Sequence, residues 1–136
     1  MREYKFRGRR TVLGNSEWIY GYGAIDDELL TLDFAKGIVR VECDKGTIGQ
    51  YAGLNDKNGK EGYESDILNT PGGKAIIRFG EYTSPSGLDK HVGFYLEFLD
   101  GNYAGLYRKD IGYWMPRSEI IGDAWDNPEL LKEGSV

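Results

Sequence analysis

The chain has 136 residues, a length that suits one domain with a single sizeable core or two very small ones. Apolar residues make up 40% of it and charged residues 29%, a balance that excludes an intrinsically disordered chain and a membrane span. The formal net charge of −5 is unfavourable for a protein whose main function is to bind phosphate groups, since these are also negatively charged. Because Cys43 is the single cysteine and the charged first ten residues lead into no apolar signal segment, we expect a protein of a reducing cytoplasm.

Short β-strands dominate the predicted structure, because apolar and aromatic residues alternate with polar ones in several segments. The most apolar stretches, residues 75–79 and 92–99, are rich in β-branched and aromatic residues and are therefore the expected central strands. In chain order, the other segments with strand character are residues 4–6, 18–22 and 38–43, and two weaker ones are residues 103–107 and 119–121.

The sequence Asp56-Lys57-Asn58-Gly59 predicts the tip of a β-hairpin, with Asn58 and Gly59 in the left-handed conformation that these two residue types adopt most easily. A calcium-binding loop also begins with an aspartate, but its sixth position requires glycine. Counted from Asp56, that position is Glu61, so the calcium pattern fails. Asp56, Asn58 and Gly59 are therefore interpreted as structural turn residues.

One helix start is recognisable, near the end of the chain. Asn127 is a favourable N-cap residue, Pro128 suits the first helical position, and Glu129 places a negative charge in the first turn. We therefore predict a short C-terminal helix over residues 127–132, capped by Asn127.

No constellation of catalytic residues is recognisable. His91, the single histidine, stands at the polar start of a predicted strand, and nothing marks Cys43 or a serine as its partner. The 22 acidic residues are scattered, so the choice of a carboxylate pair for acid–base hydrolysis is arbitrary. We expect a protein that is not an enzyme and that uses neither a cofactor nor a metal ion.

The aromatic residues Trp18, Tyr20 and Tyr22 share one face of a predicted strand and are the candidate binding residues. Such a row lines a core or a subunit interface, or else it stacks on the bases of a nucleic acid. Acidic neighbours such as Glu17 and Asp26 make a basic groove around the row unfavourable. The interface interpretation is therefore preferred, and nucleic-acid binding is retained as the second possibility.

Residues 48–68, IGQYAGLNDKNGKEGYESDIL, closely resemble the hallmark segment of the YopX family of phage and prophage proteins. Further segments resemble the family in the same order, namely MREYKFRGR at the start, EWIYGY at 17–22, IRFGEY at 77–82, GFYLEF at 93–98 and IIGDAWDNPELL at 120–131. Two positions depart from the family pattern. Ala52 stands where the family usually has threonine, and Ser65 stands where it usually has glycine.

The resemblance implies a mainly β fold, with an SH3-like small barrel or roll and an additional N-terminal β portion, to which the cap residues add the short C-terminal helix. Residues 1–62 are then the N-terminal portion packed on the barrel, and residues 63–136 are the barrel with its helix, in one compact unit. The resemblance also implies a bacteriophage or prophage protein in the cytoplasm of a bacterial host. It implies no activity, because the biochemical function of the family is unassigned.

The first functional hypothesis is therefore a non-enzymatic phage accessory protein that works through protein contacts, as a homo-oligomer or with an unknown phage or host protein, and away from membranes. The alternative is a nucleic-acid-binding small β-barrel that acts in phage replication or transcription and uses a basic arm at residues 2–10. The fold class does not decide between them, since small barrels serve both functions.

Overall fold

The structure is a computed structural model that describes residues 5–83, 87–99 and 110–131. In these residues the protein is mainly β, with 61% strand, one short α-helix and a curled half-barrel sheet, which confirms the mainly β prediction. The chain divides into two compact units, Met1–Tyr51 and Ala52–Val136. None of the described helices is long and apolar enough to cross a membrane.

The first unit is built from antiparallel strands. β1 pairs with β2 along their whole length and with β6 at Phe6 and Arg7, while β3, β4 and β5 form a separate three-stranded sheet. Tyr22 lies one residue beyond the end of β2, and Tyr4 lies outside the described residues. The strands are β1 (Phe6–Val12), β2 (Asn15–Gly21), β3 (Gly23–Ile25), β4 (Glu28–Asp33), β5 (Gly37–Glu42) and the first residues of β6 (Gly49–Asn55).

The core of the first unit depends on glycines that let neighbouring segments approach closely. Leu29 is completely buried. A Cβ atom added at Gly8 would lie 2.7 Å from the sulfur of Cys43, and one added at Gly21 would lie 2.7 Å from the carbonyl oxygen of Leu30. Gly8 and Gly21 are thus required by packing, because a side chain at either position would collide with atoms already in place.

The second unit contains the antiparallel sheet β10-β9-β8-β11. Residues 75–79, predicted as a central strand, lie in β9, which pairs with β10 on one side and with β8 on the other. The second predicted central segment, residues 92–99, lies mostly in β10, which stands at the end of this sheet among the described residues. The weak candidate at 119–121 is part of β11, whereas the one at 103–107 lies outside the described residues. The elements are the remainder of β6, β7 (Glu61–Tyr63), β8 (Asp66–Thr70), β9 (Gly73–Thr83), β10 (Lys90–Phe98), α1 (Ile111–Trp114), a 3-10 turn (Met115–Arg117), β11 (Glu119–Asp123) and a second 3-10 turn (Pro128–Leu131).

The β9–β10 hairpin has a buried inner half and an exposed outer half. Its inner half supplies Ile77 and Leu96 to the core of the second unit, where Phe98 meets Trp114 edge to face with ring centroids 5.4 Å apart. Beyond the paired positions of Gly80 and Gly93 the same strands continue away from this core. Val92, in the outer half, is 75% exposed.

The predicted C-terminal helix is a single 3-10 turn, and Asn127 precedes it. The side-chain oxygen of Asn127 accepts a hydrogen bond from the backbone N–H of Asp123 at 3.2 Å. Its backbone oxygen accepts one from the N–H of Leu130 at 3.0 Å. The side chain of Asn127 therefore ties the turn back to the end of β11, which is a different contact from the predicted cap.

Ser65 adopts the left-handed conformation, with φ +78°, at the position where a glycine was expected from the family pattern. Side chains other than glycine are strained there by about 1–2 kcal/mol. We expect Ser65→Gly to raise the free energy of unfolding by about 0.5–1 kcal/mol, because relief of this strain exceeds the entropy that glycine adds to the unfolded chain. Chemical denaturation of the two proteins measures the difference. Ser65→Ala is the control that keeps the strain, and a glycine variant no more stable than the alanine variant would contradict the prediction.

Candidate functional site

The β4–β5 hairpin of the first unit ends in a short, well-defined loop. Asp33 pairs with Gly37, and three residues connect them. A side-chain oxygen of Asp33 accepts hydrogen bonds from the backbone N–H groups of Ala35 at 2.8 Å and Lys36 at 3.1 Å. Gly37 has φ +80°, the conformation that closes three-residue hairpin loops most easily. The loop is therefore specified by its own residues.

Three large apolar side chains lie exposed on this hairpin. Leu32 and Ile38 are directly opposite each other across the two strands, with 64% and 73% of their surfaces exposed, and Phe34 in the loop is fully exposed. We call Leu32, Phe34 and Ile38 the hairpin surface. Single exposed apolar residues are ordinary, but a contiguous group that includes a fully exposed aromatic ring is typical of a binding surface.

The same face of the sheet becomes charged away from the loop. Arg40 and Glu42 follow Ile38 at alternate positions of β5, so all three point to one side. The guanidinium group of Arg40 lies 3.9 Å from a carboxylate oxygen of Glu28, and the two side chains are 61% and 40% exposed, so this ion pair is weak. The face therefore combines an apolar end with a charged end.

A cavity of about 370 Å³ adjoins the charged end of β5. It is lined by Arg10 and Thr11 of β1 and by residues 40–44. The hydroxyl group of Thr11 donates a hydrogen bond of 2.6 Å to the carboxylate of Asp44, which fixes one wall. The cavity thus lies between the end of β1 and the side of β5.

Cys43 lines this cavity but is only 6% exposed. Burial raises the pKa of its thiol, and the nearby carboxylates of Asp44 and Asp27 act in the same direction, while a backbone hydrogen bond at Leu29 and the charge of Arg10 only partly oppose them. The thiol therefore stays protonated at neutral pH, which makes Cys43 a poor nucleophile.

Trp18 and Tyr20 share one face of β2, as the sequence predicts, but the three aromatic residues differ in burial and Tyr22 lies beyond the end of the strand. Trp18 is half-buried, whereas Tyr20 is 54% and Tyr22 is 67% exposed. The guanidinium carbon of Arg7 lies 4.0 Å from the centre of the Trp18 ring, and that of Arg9 lies 5.1 Å from it. Trp18 is therefore a stacking partner of two arginines.

The expectation of acidic surroundings for Trp18 is wrong. Glu17 is adjacent in sequence, but successive side chains of a strand point to opposite faces. The residue opposite Trp18 across the strand pair is Arg9. The spatial neighbours were invisible to the sequence analysis because they depend on the register of β1 against β2.

The turn at residues 56–59 is built around the buried carboxylate of Asp56. One of its oxygens accepts hydrogen bonds from the N–H groups of Asn58 and Lys60, each at 2.9 Å, and the other accepts one from Ile120 at 2.9 Å. Burial alone would raise the pKa of Asp56, but these three donors together outweigh it and lower the pKa below its usual value. Gly59 has φ +83°, whereas Asn58 does not share the left-handed conformation.

His91 lies in the exposed half of the β9–β10 hairpin and takes part in an aromatic stack. Its ring centroid is 5.3 Å from that of Tyr82, which in turn lies 5.2 Å from Tyr95. These contacts place His91 among aromatic rings on a sheet surface.

The hairpin surface was missed by the sequence analysis. Ile38 lies on the mostly polar face of its predicted strand, with Arg40 and Glu42, and residues 28–33, which contain Leu32, were not predicted as a strand. The turn signal at Asp33 and Gly37 was available and would have located the hairpin. Exposure of Ile38 follows from its place on the polar face of β5, whereas its position opposite Leu32 follows from the pairing of β4 with β5.

The sequence profile of the family described as YopX protein matches residues 19–132, which is most of the chain. The chain therefore belongs to the YopX family, and the resemblance seen in its sequence is confirmed. No curated protein matches the sequence.

Proposed function

We propose that this protein is a non-enzymatic accessory protein of a bacteriophage or prophage, which acts in the host cytoplasm through protein contacts. The observation that carries the proposal is the hairpin surface, where Leu32, Phe34 and Ile38 together expose an apolar patch at the end of a hairpin whose loop is held by hydrogen bonds to Asp33. Apolar and aromatic side chains presented in this way supply most of the binding energy in protein interfaces. Further copies of the same chain are the first partners to consider.

Two further features support this proposal. The thiol of Cys43 is buried and protonated, which disfavours covalent catalysis by the one cysteine. Family membership is consistent with a phage protein of this kind. We also propose that the second unit forms an SH3-like barrel, a proposal supported by its antiparallel sheet of β8 to β11 and by the curled half-barrel sheet of the fold.

The experiment compares two triple variants as immobilised baits in an extract of the bacterial host. One variant, Leu32→Ser/Phe34→Ser/Ile38→Thr, removes the hairpin surface. The control, Leu13→Ser/Leu88→Ser/Val92→Thr, removes three other exposed apolar side chains. We expect the wild-type and control baits to retain the same proteins and the hairpin variant to lose them. Equal retention by all three baits, at equal melting temperatures, would overturn the proposal.

Nucleic-acid binding remains the second candidate, and the observation in its favour is the stack of Arg7 and Arg9 on Trp18. Arg7 is only 5% exposed, which favours a packing role for its part of the stack. Fluorescence polarisation with single- and double-stranded oligonucleotides tests the candidate. Binding that weakens steeply with added salt and is lost in Arg9→Ala would support it and would displace the first proposal.

A further inference from the structure

The segment that follows β5 is tied to β1 at one place, beside the cavity of about 370 Å³. The N–H of Asp44 donates to the carbonyl oxygen of Arg9 at 2.7 Å, and the Asp44 carboxylate accepts a hydrogen bond of 2.6 Å from the hydroxyl group of Thr11. In the part of the chain that the structure describes, no hydrogen bond joins β1 to the backbone of Arg40 or Glu42. The cavity therefore lies where the two segments separate, with the contacts of Asp44 at one end.

Backbone N–H groups of β5 face this cavity. The N–H of Cys43 donates to the carbonyl oxygen of Asp27 at 2.8 Å, in register with the β4–β5 ladder. Since the N–H groups of an antiparallel strand point alternately toward its partner and away from it, those of Arg40 and Glu42 point away from β4. This is the side on which Asp44 bonds to β1, and Arg40 and Glu42 both line the cavity. Two backbone donors are therefore available to a ligand there.

Two arginine side chains from different strands also line the cavity. Arg10 of β1 makes no hydrogen bond or ion pair within the described residues. Arg40 of β5 has only the weak ion pair with Glu28, at 3.9 Å. Guanidinium groups bind carboxylate and phosphate groups through parallel N–H donors. The cavity thus combines two guanidinium groups with two backbone N–H groups, which is a set of donors that suits an oxyanion.

The two acidic residues of the cavity differ in what they already bind. The carboxylate of Asp44 is engaged by the hydroxyl group and the N–H of Thr11. The carboxylate of Glu42 makes no hydrogen bond or ion pair within the described residues. It repels a simple anion but accepts a hydrogen bond from a hydroxyl group. The thiol of Cys43, which is protonated at neutral pH, adds no further charge to the lining.

We propose that this cavity binds a small organic oxyanion, namely a carboxylate or phosphate group that carries a hydroxyl group beside it. The oxyanion lies between Arg10 and Arg40 and accepts the backbone N–H groups of β5, while the hydroxyl group donates to Glu42. A volume of about 370 Å³ is at the lower end of the range of about 300–1,000 Å³ that small-molecule sites occupy. The inference goes beyond the proposed function, because the cavity contains no residue of the hairpin surface.

The test follows the backbone amide signals of the isotope-labelled full chain in NMR titrations with two pairs of probes. One pair is inorganic phosphate and glycerol phosphate, and the other is acetate and glycerate. In each pair only the second probe carries hydroxyl groups. We expect the amide signals of Arg40 and Glu42 to move most, and the hydroxylated probe to bind about threefold or more tightly than its partner. The pair with the higher affinity identifies the oxyanion as phosphate or carboxylate.

Variants of the charged side chains assign the contacts. Arg10→Gln and Arg40→Gln are each expected to bind roughly tenfold more weakly. Arg78→Gln is the matched control, because it removes the same charge from an arginine of β9 in the second unit, and its affinity should equal that of the wild type. Glu42→Gln removes a negative charge, so we expect it to bind inorganic phosphate and acetate more tightly and to show a smaller preference for the hydroxylated probes.

Four results would overturn the inference. They are no movement of amide signals with any probe at millimolar concentrations, movement confined to amides outside residues 40–44, affinities of Arg10→Gln and Arg40→Gln equal to that of Arg78→Gln, and equal affinity for the two members of each probe pair. The bait comparison with the hairpin variant changes other residues, so the failure of one experiment does not decide the other.

Discussion

Replacing Asp56 with alanine is expected to lower the free energy of unfolding by about 3–5 kcal/mol. The carboxylate accepts three backbone hydrogen bonds, and the donor at Ile120 is buried and 64 positions away along the chain. Without the carboxylate, that N–H remains buried with no acceptor while the turn at residues 56–60 loses its organising group. Urea denaturation followed by tryptophan fluorescence measures the loss.

Asp33→Ala is the matched control for this prediction. Asp33 also accepts two backbone hydrogen bonds in a turn, but its donors are exposed and can bond to water. We expect this variant to lose no more than about 1 kcal/mol. Similar losses in the two variants would show that burial of the Ile120 donor is not the decisive factor.

The lowered pKa of Asp56 adds a pH dependence with a definite sign. A carboxyl group whose pKa is lower in the folded state than in the unfolded state stabilises the fold above the unfolded value, which is 3.8 for a free aspartate. The contribution disappears as the pH falls through the folded-state pKa. The difference in unfolding free energy between the wild type and Asp56→Asn should therefore be constant near neutral pH and shrink below about pH 4. If that difference in unfolding free energy did not change with pH, the Asp56 carboxylate would not be ionised in the folded protein.

Gly21→Ala is also expected to have a large effect and to lower the free energy of unfolding by about 2–3 kcal/mol. The new Cβ would lie 2.7 Å from the carbonyl oxygen of Leu30 and 3.3 Å from the Cβ of Leu29. That carbonyl cannot retreat easily, because it accepts a hydrogen bond of 2.9 Å from the N–H of Tyr22. The backbone of β4 must therefore move to make room.

Gly23→Ala provides the comparison two residues away. Its new Cβ would come no closer than 3.4 Å to any atom, and the neighbour is the end of the Leu30 side chain. An alanine there also reduces the entropy of the unfolded chain, so we expect the free energy of unfolding to stay the same or to rise by up to about 1 kcal/mol. Thermal unfolding of both variants distinguishes a collision at Gly21 from a general intolerance of side chains near Tyr22.

Local features of this fold were predictable from sequence, and long-range ones were not. The turn at Asp56 and Gly59 and the strand containing Val39 and Val41 follow from turn chemistry and alternation, which involve residues a few positions apart. The hydrogen bond between Asp56 and Ile120 joins residues from distant parts of the chain, so no local pattern encodes it.

The candidate site shows the same limit. The row that contains Trp18 was recognised, but its arginine neighbours depend on how β1 and β2 are aligned. Ile38 was predicted on the mostly polar face of its strand, but Leu32 was missed because residues 28–33 were not recognised as a strand, and the pairing that sets the two side chains opposite each other is a tertiary feature.

The β9–β10 hairpin has a thermodynamic consequence, since one continuous pair of strands spans two regimes of stability. Opening the outer half, beyond Gly80 and Gly93, exposes little apolar surface, because residues such as Val92 are already in contact with solvent. Opening the inner half requires Ile77 and Leu96 to leave the core. Backbone amides of the same two strands therefore exchange their hydrogens by two routes, by local fraying in the outer half and by cooperative unfolding in the inner half.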